Sequence, residues 1–336
     1  MNHIPIRNYI LCCDWGTSSL RLRLVDSRSY EVIHEIQSAE GVAGTFKAWQ
    51  EQKLVDRFDF FAGKLKAKMN ELAKMAGLEL DRVPIVVSGM ASSSIGMEEV
   101  PYANLPFATD GKQASLKVFQ DLSVLTNSLI LVSGVSGDND VMRGEEVQLI
   151  GLLHLKEPGL ENMNEAVFIF PGTHSKHIFV KDGFVNDFQT FMTGEIFNLL
   201  HEHSILKDSI AQNAASGLSD PANEAAFKSG MEVSGFAPFL NSLFSVRTNQ
   251  LFNKLTREEN FFYLSGLLIG TETRNLLEQK GHLIVCSGKN LFGHYKLAFE
   301  MLGLTNVTFI PSDLVDKATI AGQVQIFKTL KPIFNE

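Results

Sequence analysis

The 336-residue sequence contains few cysteines, lacks long apolar runs and carries no excess of positive charge. Its three cysteines are an odd number without metal-ligand spacing, which is typical of small apolar residues in a reducing cytoplasm. The longest apolar runs, such as 261–270, are far short of the roughly 18–20 residues that span a bilayer. The first residues show no secretory signal pattern. We therefore expect a cytoplasmic protein without a membrane partner.

The charge balance narrows the choice of ligands. Thirty Lys and Arg residues stand against 38 Asp and Glu, a formal net charge of −8. This excludes a protein that reads nucleic-acid phosphates with a broad basic face, so any anionic ligand must meet locally placed positive groups. The length is about right for two compact domains. We predict one domain over 1–137 and a second over 138–336.

Several common nucleotide and catalytic motifs are absent. No segment fits the P-loop, the dinucleotide-binding fingerprint or the Ser nucleophile elbow, and the Cys and His spacings do not make a zinc site. What is present is a set of Gly-containing turns next to apolar strands. One of these turns begins with an acidic residue, Asp14.

A three-stranded pattern occurs twice in the chain, which indicates an internal duplication at domain scale. The predicted strands are 9–13, 20–25 and 30–36 in the first half, and 166–170, 176–180 and 184–191 in the second. In each half a polar turn follows the first strand, over 14–19 and 171–175. The recurrence favours one function for both turns.

Both turns offer the groups that bind phosphate. Backbone N–H groups and hydroxyls in such turns can cradle phosphate oxygens, and Asp14 can hold a Mg²⁺ shell. The candidate phosphate-binding residues are Gly16, Thr17 and Ser18 in the first turn, and Gly172, Thr173, His174, Ser175 and Lys176 in the second. The alternative is two ordinary turns, with Lys176 as a solvated strand residue.

The motifs resemble a known group of enzymes. Segments 14–18, 171–176, 287–289 and 318–322 resemble the phosphate-1, phosphate-2, adenosine and connecting elements of the actin-like ATPase superfamily. More closely, the segments 141–151, 171–176, 186–195 and 264–270 resemble the 2-dehydro-3-deoxygalactonokinase family. The chain departs from that family at His177, where an aromatic residue is frequent, and at Gln189, where Arg is frequent.

The resemblance implies a fold and an activity. The expected fold is α/β, with two ribonuclease-H-like domains of the actin-like ATPase type flanking a nucleotide cleft. The expected reaction is ATP- and Mg²⁺-dependent phosphorylation of the terminal hydroxyl of 2-dehydro-3-deoxy-D-galactonate, which gives the 6-phosphate in galactonate breakdown. The partners would be ATP and the sugar acid, with a possible homodimer.

The resemblance also suggests where the ligands bind. The loop after strand 83–87 lies where related kinases contact their sugar, so its residues Gly89, Met90, Ala91 and Ser92 are candidate substrate contacts. For adenine and ribose the candidates are Gly288, Lys289 and Asn290. The alternatives are a flexible Ser-rich loop without a ligand and an ordinary exposed Lys289.

Acidic residues near residue 145 are candidate general bases. Related sugar kinases place the base at the start of the helix before the phosphate-2 turn, which makes Glu145 the first choice and Asp140 the second. Glu146 is rotated about 100° around the helix from Glu145. Arg143 could pair bidentately with the substrate carboxylate, or be tied to these acids instead. The acids could equally cap the helix and complement its dipole.

Two other functions are compatible with the sequence. One is a kinase for another sugar or sugar acid. The other is a chaperone-like or filament-forming ATPase, which the lack of a long lid or an appended peptide-binding domain disfavours.

Overall fold

A computed structural model describes residues 8–155, 160 and 165–330 of the chain. These residues form two compact units. The first unit contains the described residues up to 160, together with 181–187 and 314–330, and the second contains 165–180 and 188–313. The second unit is thus inserted into the first. The domain boundary predicted between residues 137 and 138 is not where the structure divides the chain.

The first unit is built on a six-stranded sheet. The described strands of the whole unit are β1 (Tyr9–Trp15), β2 (Leu20–Asp26), β3 (Val32–Ser38), β4 (Ile85–Gly89), β5 (Ala103–Asn104), β6 (Phe107–Ala108), β7 (Leu116–Phe119), β8 (Leu129–Val132), β9 (Val135–Ser136) and β10 (Val141–Met142). The sheet order is β3-β2-β1-β4-β8-β7, while β10, β9 and β5 form a small separate sheet. Its helices are α1 (Val42–Gln52), α2 (Arg57–Ala76), α3 (Glu145–Leu155) and most of α9 (Ser312–Thr329).

The second unit has a sheet of its own and most of the helices. Its strands are β11 (Glu165–Phe170), β12 (Ser175–Lys181), β13 (Phe184–Phe191), β14 (His282–Cys286) and β15 (Val307–Ile310). Its helices are α4 (Thr193–His203), α5 (Pro221–Val233), α6 (Phe239–Leu251), α7 (Arg257–Thr273) and α8 (Lys289–Met301). The tip of the β12–β13 hairpin belongs to the first unit, where Phe184 and Val185 pair with β6.

The two sheets share one strand order. In the first unit β3-β2-β1-β4-β8 are neighbours, with β1, β4 and β8 parallel and β2 antiparallel to β1. In the second unit the order is β13-β12-β11-β14-β15, with β11, β14 and β15 parallel. Numbered along the chain among the five strands compared in each unit, both orders read 3-2-1-4-5. The predicted duplication and the α/β class with two ribonuclease-H-like halves are therefore confirmed, while the nucleotide cleft stays a prediction.

Local signals explain where the long helices begin and end. Helix α2 starts at Asp56, whose carboxylate accepts a hydrogen bond from Phe58 N, and it stops at Gly77, which has a φ of +62°. Helix α7 starts with a reciprocal capping box between Thr256 and Glu259. Its middle is buried over most of its length, so this helix lies inside the second unit rather than on its surface.

Glycines let α3 pack directly on α9. A Cβ atom added to Gly151 would lie 1.8 Å from the carbonyl oxygen of Ala318, and one added to Gly322 would lie 1.9 Å from that of Val147. The helices therefore meet backbone to backbone. This contact assigns α3 to the first unit, which is why the boundary predicted from local composition falls too early.

Each unit has its own apolar core. In the first, the buried Trp15 packs against Phe61 of α2, with ring centroids 5.3 Å apart. In the second, residues of α7 pack with those of β11, β14 and α8. Cys12, Cys13 and Cys286 are free and buried. None of the described helices combines the length and apolar composition that crossing a bilayer requires.

Candidate functional site

The first phosphate turn connects β1 and β2. Gly16 N donates to Ser19 O at 2.9 Å, and the side chains of Thr17 and Ser18 are exposed. The start of α1 supports the turn from behind, since the N–H of Val42 donates to Gly16 O at 2.9 Å. The hydroxyls of the turn are therefore presented to solvent on a fixed backbone, as a phosphate cradle requires.

Gly41, the N-cap of α1, packs against this turn, and sequence reasoning missed it. A Cβ atom at Gly41 would lie 2.3 Å from the carbonyl oxygen of Thr17 and 2.3 Å from the carbonyl carbon of Ser18. Only glycine lets α1 approach the turn this closely. The position of Gly41 just before a helix was the only sequence feature that could have indicated its role. The turn that it contacts lies over 20 residues earlier in the sequence.

Asp14 and Gly89 lie together where β1 and β4 end. Asp14 pairs with Ser88 across the parallel strands, and a Cβ at Gly89 would lie 3.3 Å from Asp14 Oδ1. Gly89 has a φ of +88°, which favours glycine. Burial raises the pKa of the Asp14 carboxyl, and the charges of Arg23 and Arg21 offset this in part. A cation beside Asp14 would favour its ionised form.

The predicted sugar loop contacts Arg143. The loop continues from Gly89 into the 3-10 turn Met90–Ser92, in which Ala91 and Ser92 are buried and Met90 is half-buried. The guanidinium of Arg143 donates to the hydroxyls of Ser92 and Ser133, the latter at 3.2 Å. The buried Ala91 side chain belongs to the apolar core, so any contact of Ala91 with a ligand would come from its backbone.

The acidic residues near α3 accept hydrogen bonds from backbone N–H groups. Glu145 Oε2 accepts from Arg143 N at 3.1 Å, and Glu146 Oε2 accepts from Gly144 N at 2.7 Å. Asp140 accepts from Val141 N at 2.7 Å in the turn between β9 and β10. These bonds give the capping alternative direct support. Of the three acids, Glu145 is the first residue of α3, and this position at the helix start was predicted. Its side chain is half-buried.

Glu146 is the buried member of the acidic pair. Burial, reinforced by the charge of Glu145, raises the pKa of Glu146 to about 8. Its Oε1 atom has no hydrogen-bond partner among the described residues. A carboxyl group in such surroundings is held in its neutral form at pH 7, so Glu146 differs chemically from its neighbour.

The second unit contains a cavity of about 760 Å³, which we call the second-unit pocket. Its size lies within the range of small-molecule sites. The turn between β11 and β12 contributes Gly172 and Thr173, and the start of α8 contributes Lys289 and Asn290. The start of α4, residues 214–218 and one side of α7 complete the lining. Two segments predicted separately as phosphate and adenosine elements thus line one cavity.

The start of α4 packs on the phosphate turn. A Cβ atom at Gly194 would lie 2.6 Å from the carbonyl oxygen of Gly172, so the helix approaches as closely as a glycine permits. Glu195 N donates to Thr173 O at 3.0 Å, and Glu195 Oε2 lies 2.5 Å from His174 Nε2. A helix start beside such a turn favours an anionic ligand. Sequence reasoning did not identify Gly194 as part of the site.

Four predicted binding residues of the second unit lie outside the pocket lining: His174, Ser175, Lys176 and Gly288. Ser175 and Lys176 are buried, because β12 begins at Ser175 and both side chains find partners inside the unit. The Ser175 hydroxyl donates to Glu272 Oε1 at 2.7 Å, and the Lys176 ammonium donates to the Thr190 hydroxyl. Lys176 is therefore not a solvated strand residue, and its ammonium group does not line the pocket. Gly288 is exposed and precedes α8 as its N-cap.

Comparisons with known proteins agree on one family. A family model described as 2-keto-3-deoxy-galactonokinase matches residues 14–326. The 2-dehydro-3-deoxygalactonokinase of Escherichia coli K12 is 31% identical over 322 residues, which cover 92% of this chain and 95% of that protein. A Sinorhizobium meliloti protein assigned to the same activity has a crystal structure with a TM-score of 0.76 and 28% identity, covering 94% of this chain and 95% of that one.

Proposed function

Because the chain belongs to the 2-keto-3-deoxy-galactonokinase family, we propose that it phosphorylates 2-dehydro-3-deoxy-D-galactonate with ATP, giving the 6-phosphate and ADP. The observation that carries the proposal is the family match over residues 14–326, almost the whole described chain. The reaction would belong to galactonate catabolism. A cytoplasmic location and a homodimer stay predictions from the sequence.

The second-unit pocket is the proposed site for ATP. Backbone N–H groups at Gly172 and Thr173 and at the start of α4 would bind phosphate oxygens. The exposed Lys289 and Asn290 would contact the adenosine part, since they begin α8 at the edge of the same cavity. The exposed hydroxyls of Thr17 and Ser18 stay predicted phosphate contacts of the first unit.

Arg143 is the proposed partner of the substrate carboxylate. A guanidinium binds a carboxylate bidentately, and the hydroxyls of Ser92 and Ser133 fix this guanidinium in place. The backbone of residues 89–92 would accept or donate hydrogen bonds to the polyol chain. A sugar acid therefore fits this loop better than a neutral sugar, because only an acid offers a group for Arg143.

Glu145 is the proposed general base, with Asp140 as the second candidate. The terminal hydroxyl of the sugar acid attacks the γ-phosphorus, the bond from that phosphorus to ADP breaks, and the hydroxyl proton passes to the Glu145 carboxylate. Glu145 suits this role better than Glu146, because Glu146 is buried with a raised pKa and already carries a proton at pH 7.

Asp14 is the proposed protein contact of Mg²⁺. Burial disfavours the charge of its carboxylate, and a bound cation would compensate. The described residues contain no group of three or more His, Cys, Asp or Glu side chains suited to a metal ion. A single carboxylate, that of Asp14, fits Mg²⁺, because this ion is usually held by one or two carboxylates, substrate phosphates and water. When bound, the ion would neutralise charge on the transferred phosphoryl group.

An ADP-release assay tests the proposal. The purified chain is incubated with saturating MgATP and a panel of 2-keto-3-deoxy sugar acids, other sugar acids and neutral sugars. We expect turnover to depend on the acceptor and to be fastest with 2-dehydro-3-deoxy-D-galactonate. No turnover with any 2-keto-3-deoxy acid would exclude the proposed activity. Preference for a neutral sugar would identify a kinase of different specificity.

A further inference from the structure

Glu272 is a buried carboxylate inside the second unit. It lies in the last turn of α7 and is only 2% exposed. Burying a carboxylate is costly unless hydrogen bonds replace its lost hydration. Neither the phosphate turns nor the sugar loop includes this residue, so the proposed reaction leaves it without a role.

Four side chains donate to this carboxylate. Ser175 Oγ lies 2.7 Å and His177 Nε2 3.1 Å from Oε1. Thr193 Oγ1 lies 2.5 Å and the Tyr295 hydroxyl 2.8 Å from Oε2. An ionised carboxylate has about four acceptor sites, so these donors use its capacity fully. Glu272 therefore has no acceptor site left for a ligand and would act only through the residues it holds.

The four donors come from three of the five backbone segments that line the second-unit pocket. Ser175 and His177 begin β12, directly after the turn that contributes Gly172 and Thr173. Thr193 is the first residue of α4, and Tyr295 lies on α8, the helix that begins with Lys289. Thr193 and Tyr295 also line the pocket themselves. One carboxylate thus connects the phosphate end of the pocket to its adenosine end.

We propose that Glu272 is the positioning residue of the nucleotide pocket: it holds the phosphate turn, the start of α4 and helix α8 in the arrangement that binds ATP. The proposal rests on the proposed function, since it assumes that this pocket takes the nucleotide. It explains why two hydroxyls, an imidazole and a phenol all converge on one buried acid. It also gives a role to His177, one of the two positions at which the sequence departs from its family.

The test is the isosteric variant Glu272→Gln. An amide keeps one acceptor oxygen but replaces the other with a donor, so two of the four donors lose their acceptor or must turn. By calorimetry we expect the Kd for ADP to rise about five- to twentyfold, as lost charge-assisted hydrogen bonds would produce. The KM for ATP should rise in parallel, while the KM for the sugar acid stays within about twofold of wild type. The control is Glu278→Gln, an exposed acid beyond α7, with the wild-type Kd.

A merely structural role would give a different result. In that case Glu272→Gln would lower the Tm and the folded fraction, while the folded protein would bind ADP with the wild-type Kd, and the proposal would be overturned. If Glu272→Gln does not fold, Tyr295→Phe and Ser175→Ala each remove one donor and leave the acid in place. We expect both to weaken ADP binding by a smaller factor, and wild-type binding in both would overturn the proposal.

The outcome is separable from that of the proposed function. ADP binding does not require a sugar acid, so calorimetry measures the pocket whatever the acceptor is. A wild-type protein that binds ADP but phosphorylates no sugar acid would contradict the proposed function alone. Unchanged ADP binding by Glu272→Gln, alongside normal turnover by wild type, would contradict only the role of Glu272.

Discussion

The guanidinium of Arg143 lies over the ring of Tyr102, 4.3 Å from its centroid. Stacking on one face of the guanidinium fixes its plane and leaves its edge for hydrogen bonds. Ser92 and Ser133 take part of that edge. The orientation of this cation is therefore set by three neighbours within the first unit before any substrate binds.

Replacing Arg143 by Lys should impair sugar-acid binding. A lysine keeps the charge but neither stacks in the same plane nor pairs bidentately, so we expect the KM for the sugar acid to rise about tenfold or more. The KM for ATP should stay near wild type. Steady-state kinetics with each substrate varied in turn measures both values. Tyr102→Phe keeps the stack and serves as the control; an unchanged sugar-acid KM in Arg143→Lys would contradict the proposed carboxylate contact.

Replacing Glu145 by Gln should slow the chemical step. The amide oxygen can still accept the hydrogen bond from Arg143 N, so the loop is retained while the base is lost. We expect kcat to fall about 10²- to 10⁴-fold with little change in either KM. Asp140→Asn is the matched comparison in the same kinetic assay. A large loss in Asp140→Asn with normal kcat in Glu145→Gln would transfer the role to Asp140.

Gly41 and Gly44 offer a matched pair of Gly→Ala variants near the first phosphate turn. A Cβ at Gly41 would overlap the backbone of Thr17 and Ser18, whereas one at Gly44 would meet nothing within 4 Å. We expect Gly41→Ala to lower the free energy of unfolding by about 1–3 kcal/mol and to raise the KM for ATP. Gly44→Ala, on the exposed side of α1, should be neutral or stabilising by up to about 1 kcal/mol. Urea unfolding and steady-state kinetics compare the two variants. Equal effects of Gly41→Ala and Gly44→Ala would contradict the close contact of Gly41 with the backbone of Thr17 and Ser18.

Glu146 should make stability depend on pH. Its pKa is raised from 4.5 to about 8 on folding, so unfolding between these values releases a proton and stability falls as the pH rises. The stability that the neutral Glu146 carboxyl contributes is lost once the pH exceeds about 8. Glu146→Gln removes this titrating group. Between pH 6 and pH 9 the free energy of unfolding should therefore fall by on the order of 2–3 kcal/mol more in wild type than in the variant. Urea unfolding of both proteins at the two pH values measures this difference, and parallel curves would contradict a buried neutral Glu146.

Local patterns predict the parts of the site that local sequence builds. The turns predicted at 14–19 and 171–175 each follow an apolar strand and precede an alternating one. The structure has a turn at both places, although β1 extends to Trp15 and β12 already begins at Ser175. The adenosine element predicted at 287–289 also lies at an element boundary, between the apolar strand β14 and the start of α8. These elements need only neighbours along the chain to be recognised.

Contacts between distant segments escape this reasoning. Gly194 belongs to the site because it touches Gly172, and nothing beside Gly194 in the sequence shows that approach. Ser175 was predicted to bind phosphate, but its hydroxyl donates to Glu272, which lies 97 residues later in the sequence. The domain boundary differs for the same reason, since α3 and α9 are brought together only by the fold.

The amide of Gln323 on α9 donates to the carbonyl of Cys13 and to the hydroxyl of Ser88, each at 2.8 Å. These are the neighbours of Asp14 and Gly89, at the ends of β1 and β4. A ribosome makes β1 and β4 early, but α9 only after the entire second unit has been synthesised. The first unit therefore cannot complete its fold before the segment that forms the second unit has been synthesised. Enzyme activity should appear only after the last helix has left the ribosome, however early the first strands are made.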